Sequence, residues 1–389
     1  MKLPRLIGFL ALVICVEGFA QEVRHEVIGY FPSWKWRQRN NLVTPERIPY
    51  SKLTMINYAF FYPLPDGSIA GRDTVGDRLY LYGDRETALV PLAHRHGVKV
   101  LLSLGGWEDS GNFPLVASTP LLRTAFAHAC LGAIRTCDFD GIDIDWEFPG
   151  YRDHQGTSAD RENFTQLLSV LRDSLDAYAK STGRRYLLTA ALPSGGEHVQ
   201  NIDVRKIAAI LDQLNIMTYD YYGPWDPVAN HNAPLYPSSG ADTTRSVDAS
   251  FRLYRQSLGV PASRINIGIP FYGHAYARCA ALNAPHAGED TLHFPPPGAF
   301  YYDILAQERS FTKYRDERAR TPYMVSTAWN VLVSFDDEES VRAKAEYVVA
   351  QGAHGVIIWE ITGDYLADGR TPLLDALTSA LRVPSLNIR

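Results

Sequence analysis

Three acidic side chains at alternate positions are the residues of this sequence best suited to chemistry: Asp143, Asp145 and Glu147. The two residues between them, Ile144 and Trp146, are apolar. Because successive side chains of a β-strand point to opposite faces, a strand here would carry the three carboxyl groups on one face and the apolar side chains on the other. Neighbouring carboxylates repel each other, so some of these acids must hold a proton or accept hydrogen bonds that stabilise their charge.

Three interpretations of this acidic face are open. A run of solvated acids is disfavoured by the apolar residues opposite and by Phe139 just before them. A site for a hard cation would place its oxygen ligands around a loop rather than in a row along a strand. The remaining interpretation is an acid whose pKa is raised by its neighbours, so that it can protonate a leaving group.

The spacing Asp-x-x-Asp-x-Asp-x-Glu after an apolar lead resembles the signature of glycoside hydrolase family 18, the chitinase family, and it matches at every acidic position. The resemblance implies that Glu147 is the proton donor and that Asp145 orients the acetamido group of the substrate. It also implies that Asp143 supports Asp145, and that Asp140 has a structural role where the strand begins.

Eight apolar, β-rich runs alternate with helical stretches, which is the pattern of a parallel sheet. The runs are 27–31, 52–61, 99–106, the acidic run 140–147, 186–192, 214–220, 265–272 and 355–361. The stretches between them include amphipathic ones at 161–180 and 338–351, the second of which is followed by Gly352 as a helix stop. Repeats of this number predict an α/β fold, the (β/α)8 or TIM barrel. An open doubly wound sheet is the competitor, but no glycine-rich phosphate turn follows the first run.

The connection between the seventh and eighth runs is too long for a helix alone. From Gly273 to Phe335 it is rich in Pro, Tyr and Gly, and a loop of this length usually has structure of its own. Relatives in the family often carry a small α+β insertion here, which we place at residues 275–325 within a catalytic barrel of residues 21–389. Four tyrosines are expected to offer it rings for sugar contact: Tyr276, Tyr301, Tyr302 and Tyr323.

In a barrel of this class the active site lies where the strands end at their C-terminal face. The sixth run ends Met217-Thr-Tyr219-Asp220, the form that the family shows. The resemblance implies a catalytic role for Tyr219, whose hydroxyl would hold the acetamido carbonyl, and a substrate-binding role for Asp220 and Met217. By itself, a Tyr-Asp pair at the end of a strand is more often a turn than a site.

Aromatic residues stand at other predicted strand ends. Trp359 lies near the end of the eighth run, and the resemblance favours it as the floor under the reacting sugar over ordinary core packing. Tyr30, Phe60 and Trp107 are candidate walls of a sugar groove, although Phe60 could equally belong to the core. One residue departs from the family: His274 stands where relatives often have Arg after the Phe-Tyr-Gly of the seventh run, which replaces a fixed charge by a titratable one.

The resemblance implies a substrate-assisted mechanism, which differs from the usual two-carboxylate schemes. The N-acetyl oxygen of the substrate would attack while Glu147 protonates the departing oxygen, and configuration would be retained. We therefore expect a chitinase that hydrolyses β-1,4 links between N-acetylglucosamine units of chitin or chito-oligosaccharides, with no metal or cofactor. The alternatives are an endo-β-N-acetylglucosaminidase acting on N-glycans and a non-catalytic, lectin-like chitin-binding relative, in which the acidic Glu is typically replaced.

The remaining composition bears on partners and compartment. A formal net charge of −5 gives no argument for nucleic-acid binding. Residues 1–20 have a basic start, a short apolar run and small residues before a cleavage point after Ala20, which predicts a secretory signal and a secreted or periplasmic enzyme. The apolar run is too short to span a bilayer. Lipoprotein anchoring at Cys15 is less favoured because Ile14 stands where that signal has a small residue.

Three cysteines would remain after cleavage: Cys130, Cys137 and Cys279. An odd number does not suit a disulfide scaffold, so the hydrophobic core must stabilise the fold. Cys130 and Cys137 could pair across the end of a helix or remain free thiols. We expect the enzyme to be a monomer.

Overall fold

The computed structural model describes residues 25–82, 87–296 and 298–381. The predicted signal at residues 1–20 lies outside these ranges and stays a prediction. The described strands are β1 (Glu26–Pro32), β2 (Met55–Pro63), β3 (Ile69–Gly71), β4 (Lys99–Gly105), β5 (Gly141–Asp145), β6 (Leu187–Pro193), β7 (Gln213–Met217), β8 (Ile265–Pro270), β9 (Tyr272–Ala277), β10 (Ala299–Phe300), β11 (Thr312–Asp316), β12 (Thr321–Ser326), β13 (Val331–Ser334) and β14 (Gly355–Trp359). The α-helices are α1 (Thr74–Tyr80), α2 (Leu89–Arg95), α3 (Phe113–Ser118), α4 (Pro120–Cys137), α5 (Asp160–Thr182), α6 (Gly196–Gln200), α7 (Val204–Ile210), α8 (Val247–Arg252), α9 (Tyr301–Gln307), α10 (Glu338–Gln351) and α11 (Pro372–Leu381).

Eight of these strands form a closed parallel barrel. Around the ring they follow the order β1, β2, β4, β5, β6, β7, β8 and β14, and β14 pairs with β1 to close it. The short strand β3 lies outside the ring and pairs with β2 in antiparallel fashion. The predicted (β/α)8 barrel is therefore confirmed.

The alternation predicted for the acidic strand is present. Asp143 and Asp145 are buried inside the ring, whereas Ile144 and Trp146 belong to the large apolar core around it. The ring of Trp146 stacks on Phe113 of α3 at a centroid distance of 5.3 Å. Burying a side chain of this size stabilises the fold by about 2–3 kcal/mol, so the outer face anchors the strand that carries the acids.

The predicted helices also form. The stretch predicted as 161–180 is α5, whose buried face includes Phe164 and Leu168 and which ends at Gly183 with a φ of 70°. The stretch 338–351 is α10, which begins with a capping box between Asp337 and Ser340. Such a box satisfies backbone N–H groups that the first turn cannot pair internally.

The connection between β8 and β14 contains the predicted α+β insertion. It forms a five-stranded antiparallel sheet in the order β10, β9, β13, β12, β11, with α9 beside it. The sheet extends from Tyr272 to Ser334, and the predicted range 275–325 lies within these bounds. A buried ion pair between Asp336 and Lys344 of α10, 2.6 Å apart, joins the end of the insertion to the barrel.

Two of the four insertion tyrosines are not available for sugar contact. Tyr276 is fully buried and donates its hydroxyl to the carbonyl of Asn230 at 2.9 Å. Tyr301 is buried and donates to Glu338 at 2.8 Å. Both therefore hold the insertion against the barrel, and the expectation that they face a ligand is wrong.

Three further observations concern the chain outside the site. Cys130, Cys137 and Cys279 are free thiols, so Cys130 and Cys137 do not pair in the structure. Over the described ranges, no helix combines the length and apolar character needed to cross a membrane. The same ranges contain no group of three or more His, Cys, Asp or Glu side chains arranged to hold a metal ion.

Candidate active site

The predicted site residues meet at one mouth of the barrel. Tyr30, Phe60, Asp145, Met217 and Trp359 lie in the C-terminal halves of five barrel strands. Carboxyl ends of parallel strands point to the same face of the ring, so these side chains converge although they are far apart in sequence.

The sixth barrel strand is shorter than predicted. It ends at Met217, so Tyr219 and Asp220 lie in the loop that follows and not within the strand. Asp220 has a φ of 57°, in the left-handed region, which no extended strand accommodates. The mouth of the barrel is thus built partly from strand ends and partly from the first residues of the loops.

Asp143 is fully buried and accepts four hydrogen bonds from side chains. Its Oδ2 accepts from the Tyr30 hydroxyl at 2.9 Å and from Ser103 at 2.8 Å. Its Oδ1 accepts from Thr189 at 2.5 Å and from Asn215 Nδ2 at 3.1 Å. Burial raises the pKa of Asp143, and the four donors lower it in part.

Strand register explains where two of these donors come from. In the parallel pairing of β4, β5 and β6, Ser103 and Thr189 both stand opposite Asp143. Side chains at matched positions of neighbouring strands lie on the same face, which here is the interior of the ring.

Asp145 lies one step nearer the mouth and is 4% exposed. Burial raises its pKa well above the usual value for Asp, and the charges of Glu147 and then Asp143 raise it further. Its Oδ1 is buried and accepts no hydrogen bond from any residue in the described ranges. This oxygen is therefore an acceptor that no described residue uses.

Glu147 stands just beyond β5, and its backbone is fixed on both sides. Its N–H donates to the Ser110 hydroxyl at 2.9 Å, and its carbonyl accepts from His154 Nδ1 at 2.5 Å. Its side chain is half-buried, and burial raises its pKa to about 8, with a further contribution from the charge of Asp220. The predicted rise in pKa is present, and the loop after β7 contributes to it through Asp220, a residue outside the acidic strand.

Tyr219 is buried beside these acids. Burial and the charges of Asp145 and Glu147 raise its pKa well above 10, so its hydroxyl remains protonated and able to donate at neutral pH. Gly268 of β8 makes room for it, since a Cβ atom there would lie 2.7 Å from the Tyr219 ring. Its edge contacts Tyr272 at a centroid distance of 6.1 Å.

Asp220 is held at the rim by His274, which the sequence singled out only as a departure from the family, and by Tyr272 and Asn232, which it did not single out. Its Oδ1 accepts from the Tyr272 hydroxyl at 2.7 Å and from His274 Nε2 at 2.8 Å. Its backbone N–H donates to Asn232 Oδ1 at 2.8 Å. The sequence does not predict this role of Asn232, because polar residues in a loop give no sign that they are buried.

An aromatic floor closes the interior side of the site. Trp359 is half-buried and stacks on Phe60, with ring centroids 5.6 Å apart and planes at 14°. Tyr30 and Phe60 are only 1% and 4% exposed, so they support Trp359 from within the barrel and present little surface of their own. Met217 and Tyr219 belong to the same apolar cluster.

A second aromatic group lies beside Glu147. Trp107 is 48% exposed and packs against His154 at 4.8 Å and Tyr151 at 5.5 Å. Phe148, next to the acid, stacks on His198 at 4.4 Å. Of this group the sequence singled out Trp107 alone, because the others lie in connections with no periodic pattern.

The arrangement suits acid-catalysed cleavage of a polar, uncharged substrate that carries rings. A carboxyl group with a pKa near 8 is protonated at neutral pH and can serve first as an acid and then as a base. Asp145 and Tyr219 supply a neighbouring acceptor and donor, and flat aromatic side chains offer surfaces on which C–H faces pack.

Comparison with known proteins gives a consistent result. The family described as "Glycosyl hydrolases family 18" matches residues 26–364. Chitinase A1 of Niallia circulans is 32% identical over an alignment that covers 87% of this chain and 56% of that protein, so the chain spans little more than half of that relative. The structure of the Group IV chitinase of Ostrinia furnacalis superposes with a TM-score of 0.82 at 31% identity, covering 92% of this chain and 99% of that one. A family 18 N-acetylglucosaminidase from Paenibacillus barengoltzii superposes with a TM-score of 0.78 at 31% identity, covering 92% of this chain and 100% of that one.

Proposed function

Because the chain belongs to family 18 of the glycosyl hydrolases and is therefore a glycoside hydrolase, we propose that it is a chitinase that cleaves β-1,4 links between N-acetylglucosamine units. The observation that carries the proposal is the meeting of Glu147, Asp145 and Tyr219 at one mouth of the barrel. The names of the relatives support a chitin-like substrate, since they include chitinases and an N-acetylglucosaminidase.

In the proposed reaction the acetamido group of the substrate is the nucleophile. Its N–H donates to the unpaired Oδ1 of Asp145, and its carbonyl oxygen accepts from the Tyr219 hydroxyl. That oxygen attacks the anomeric carbon while Glu147 gives its proton to the glycosidic oxygen, so the bond to the leaving sugar breaks. The product of this step is a cyclic oxazolinium ion, and its N–H keeps the hydrogen bond to Asp145 that stabilises the positive charge.

Water completes the cycle. The ionised Glu147 removes a proton from a water molecule, which attacks the anomeric carbon from the face that the leaving sugar vacated. The ring of the oxazolinium opens, the acetamido group is restored and Glu147 regains its proton. Two inversions at one carbon give net retention, so the first product is the β-anomer.

The environment of Glu147 favours catalysis over mere binding. A lectin-like relative would have no use for a carboxyl group held protonated at neutral pH beside a buried aspartate. The pKa of about 8 matches the requirement for a group that must act as both acid and base in one cycle.

Turnover of three substrates tests the proposal: chito-oligosaccharides, the same oligomers after deacetylation, and a high-mannose glycopeptide. We expect cleavage of the first alone, with the β-anomer as the initial product in NMR spectra of fresh digests. Efficient cleavage of the deacetylated oligomers, or an initial α-anomer, would contradict the substrate-assisted mechanism. Cleavage of the glycopeptide in preference to the oligomers would identify an endo-β-N-acetylglucosaminidase instead.

We further propose that the enzyme is exported and acts as a monomer. The basic and apolar pattern of residues 1–20 supports export. Mass spectrometry of the mature N-terminus should find cleavage after Ala20, and light scattering should give the mass of one chain.

A further inference from the structure

The carboxyl group of Asp220 is held more firmly than its place at the rim requires. Its side chain is 42% exposed, and a carboxylate with that access to water usually changes rotamer freely. Here two donors meet the same oxygen, Oδ1, at 2.7 and 2.8 Å. They leave Oδ2 to accept from another group.

Both donors lie on the first strand of the insertion. Tyr272 and His274 are two residues apart in β9, so their side chains project from the same face of the strand. An ionised carboxylate can only accept hydrogen bonds, so His274 Nε2 carries the proton that it shares with Asp220. Charged acceptors make such bonds about twice as strong as neutral ones.

The strand itself is fixed to the loop that holds the backbone of Asp220. In the pairing of β9 with β13, His274 stands opposite Ser334. The Ser334 hydroxyl accepts from the N–H of Asn232 at 2.9 Å, and Asn232 Nδ2 donates to the carbonyl of Tyr272 at 3.3 Å. Since Asn232 Oδ1 also accepts from the N–H of Asp220, the hydrogen bonds close a ring through Asp220, Asn232 and Tyr272.

We propose that His274 is a positioning residue for the reaction: with Tyr272 it fixes the carboxylate of Asp220, so that the insertion determines where this negative charge lies relative to Glu147. The proposal rests on Glu147 being the acid of the proposed function. It assigns the insertion a part in the catalytic site that the barrel alone does not supply.

The consequence for Glu147 is electrostatic. The charge of Asp220 adds to burial in raising the pKa of the acid, and the energy between two charges falls with both distance and hydration. If Asp220 turned towards bulk water, its effect on Glu147 would weaken. The groups that face His274 are Asp220, the hydroxyl of Tyr272 and the ring of Trp225, whose centroid lies 5.2 Å from it.

A direct titration of Glu147 tests the proposal without any substrate. Glutamate labelled with ¹³C at the carboxyl carbon is introduced, and the Glu147 resonance is assigned by its loss in Glu147→Gln. We expect Asp220→Asn to lower the midpoint of Glu147, and His274→Ala to lower it by a smaller amount. The double variant should titrate as Asp220→Asn does, because His274 acts through Asp220 alone.

Two further variants separate positioning from simple stability. His274→Ala should lower kcat on chito-oligosaccharides about tenfold and leave KM within about twofold of the wild-type value. His274→Gln keeps an N–H donor at the position of Nε2, so it should restore both kcat and the titration midpoint of Glu147. His293→Ala is the matched control, because it removes another His–Asp contact of the insertion, with Asp290 at 3.0 Å, and should change neither quantity.

Three results would overturn the proposal: a Glu147 midpoint in His274→Ala that stays unchanged or rises, a double variant whose shifts are additive, or no recovery with His274→Gln. Absence of turnover by the wild-type enzyme would instead refute the proposed function, and the titration would still decide the role of His274.

Discussion

Asp143 and Asp220 are two carboxylates of the active site, and they are held in opposite ways. Asp143 lies in the barrel interior, has no exposed surface and takes all four of its donors from barrel strands. Asp220 lies at the rim, is 42% exposed and takes its side-chain donors from the insertion. The hydrogen bonds of Asp143 therefore depend on the register of the barrel strands, and those of Asp220 depend on how the sheet of the insertion packs against the barrel.

This difference has a chemical counterpart. The four donors to Asp143 are neutral hydroxyl and amide groups, and they offset part of the rise in pKa that burial causes. One of the donors to Asp220 is the imidazole of His274, which belongs to the insertion and not to the barrel.

The largest effect is expected at Glu147, the acid whose pKa the charge of Asp220 helps to raise. Glu147→Gln removes only a proton, so the fold should persist while kcat falls about 10³-fold, as is typical when a general acid is lost. Steady-state kinetics on chito-oligosaccharides measure the change. The control is Glu162→Gln, the same substitution at an exposed residue of α5 that pairs with Lys206, and it should retain full activity. If Glu147→Gln also retained full activity, Glu147 would not be the catalytic acid.

A smaller loss is expected from the interior carboxylate. Asp143→Asn should lower kcat about 10²-fold, since the negative charge beside Asp145 disappears. Its folded pKa is raised, so the ionised form costs stability once pH exceeds the unfolded pKa, and a neutral amide avoids that cost. The free energy of unfolding at pH 7, from urea denaturation, should therefore change by less than about 1 kcal/mol. A loss of several kcal/mol would show that the carboxylate is needed for folding and not only for catalysis.

Gly268→Ala probes the space that the barrel keeps for Tyr219. The added Cβ atom would lie 2.7 Å from the Tyr219 ring and 2.8 Å from the backbone at Ile216, so the strand must shift. We expect a loss of about 2 kcal/mol in unfolding free energy, together with reduced kcat. Gly132→Ala in α4 is the control, because nothing lies within 4 Å of its added Cβ, and it should leave stability unchanged or increase it.

The smallest effect is a displacement of the pH profile. In the wild-type enzyme kcat/KM should fall as pH rises through about 8, where Glu147 loses its proton. Asp220→Asn removes a negative charge that favours the protonated acid, so the pKa of Glu147 decreases and the alkaline limb moves to lower pH. If the alkaline limb moved to higher pH or did not move, the charge of Asp220 would not raise the pKa of Glu147, and the proposed difference between Asp220 and Asp143 would be wrong.

The barrel interior and the rim also differ in how much of each could be predicted from the sequence. The barrel and the inward face of β5 were predictable because period-two alternation is local in sequence. The donors to Asp143 were not, since Thr189 lies 46 residues away and only register brings it close. Tyr272 and Asn232 were missed because their contacts depend on the insertion docking at the mouth, and the burial of Tyr276 and Tyr301 escaped prediction for the same reason.

Because the four donors to Asp143 come from both halves of the barrel, catalytic activity depends on the two halves being assembled. Tyr30 and Ser103 precede α5 in the chain, whereas Thr189 and Asn215 follow it. If the chain were divided at Gly183, each half would carry an incomplete set of partners for this carboxylate. Hydrolysis by the mixed halves would then appear only when they associate into a complete ring, so the enzyme could serve as a split reporter for half-barrel association.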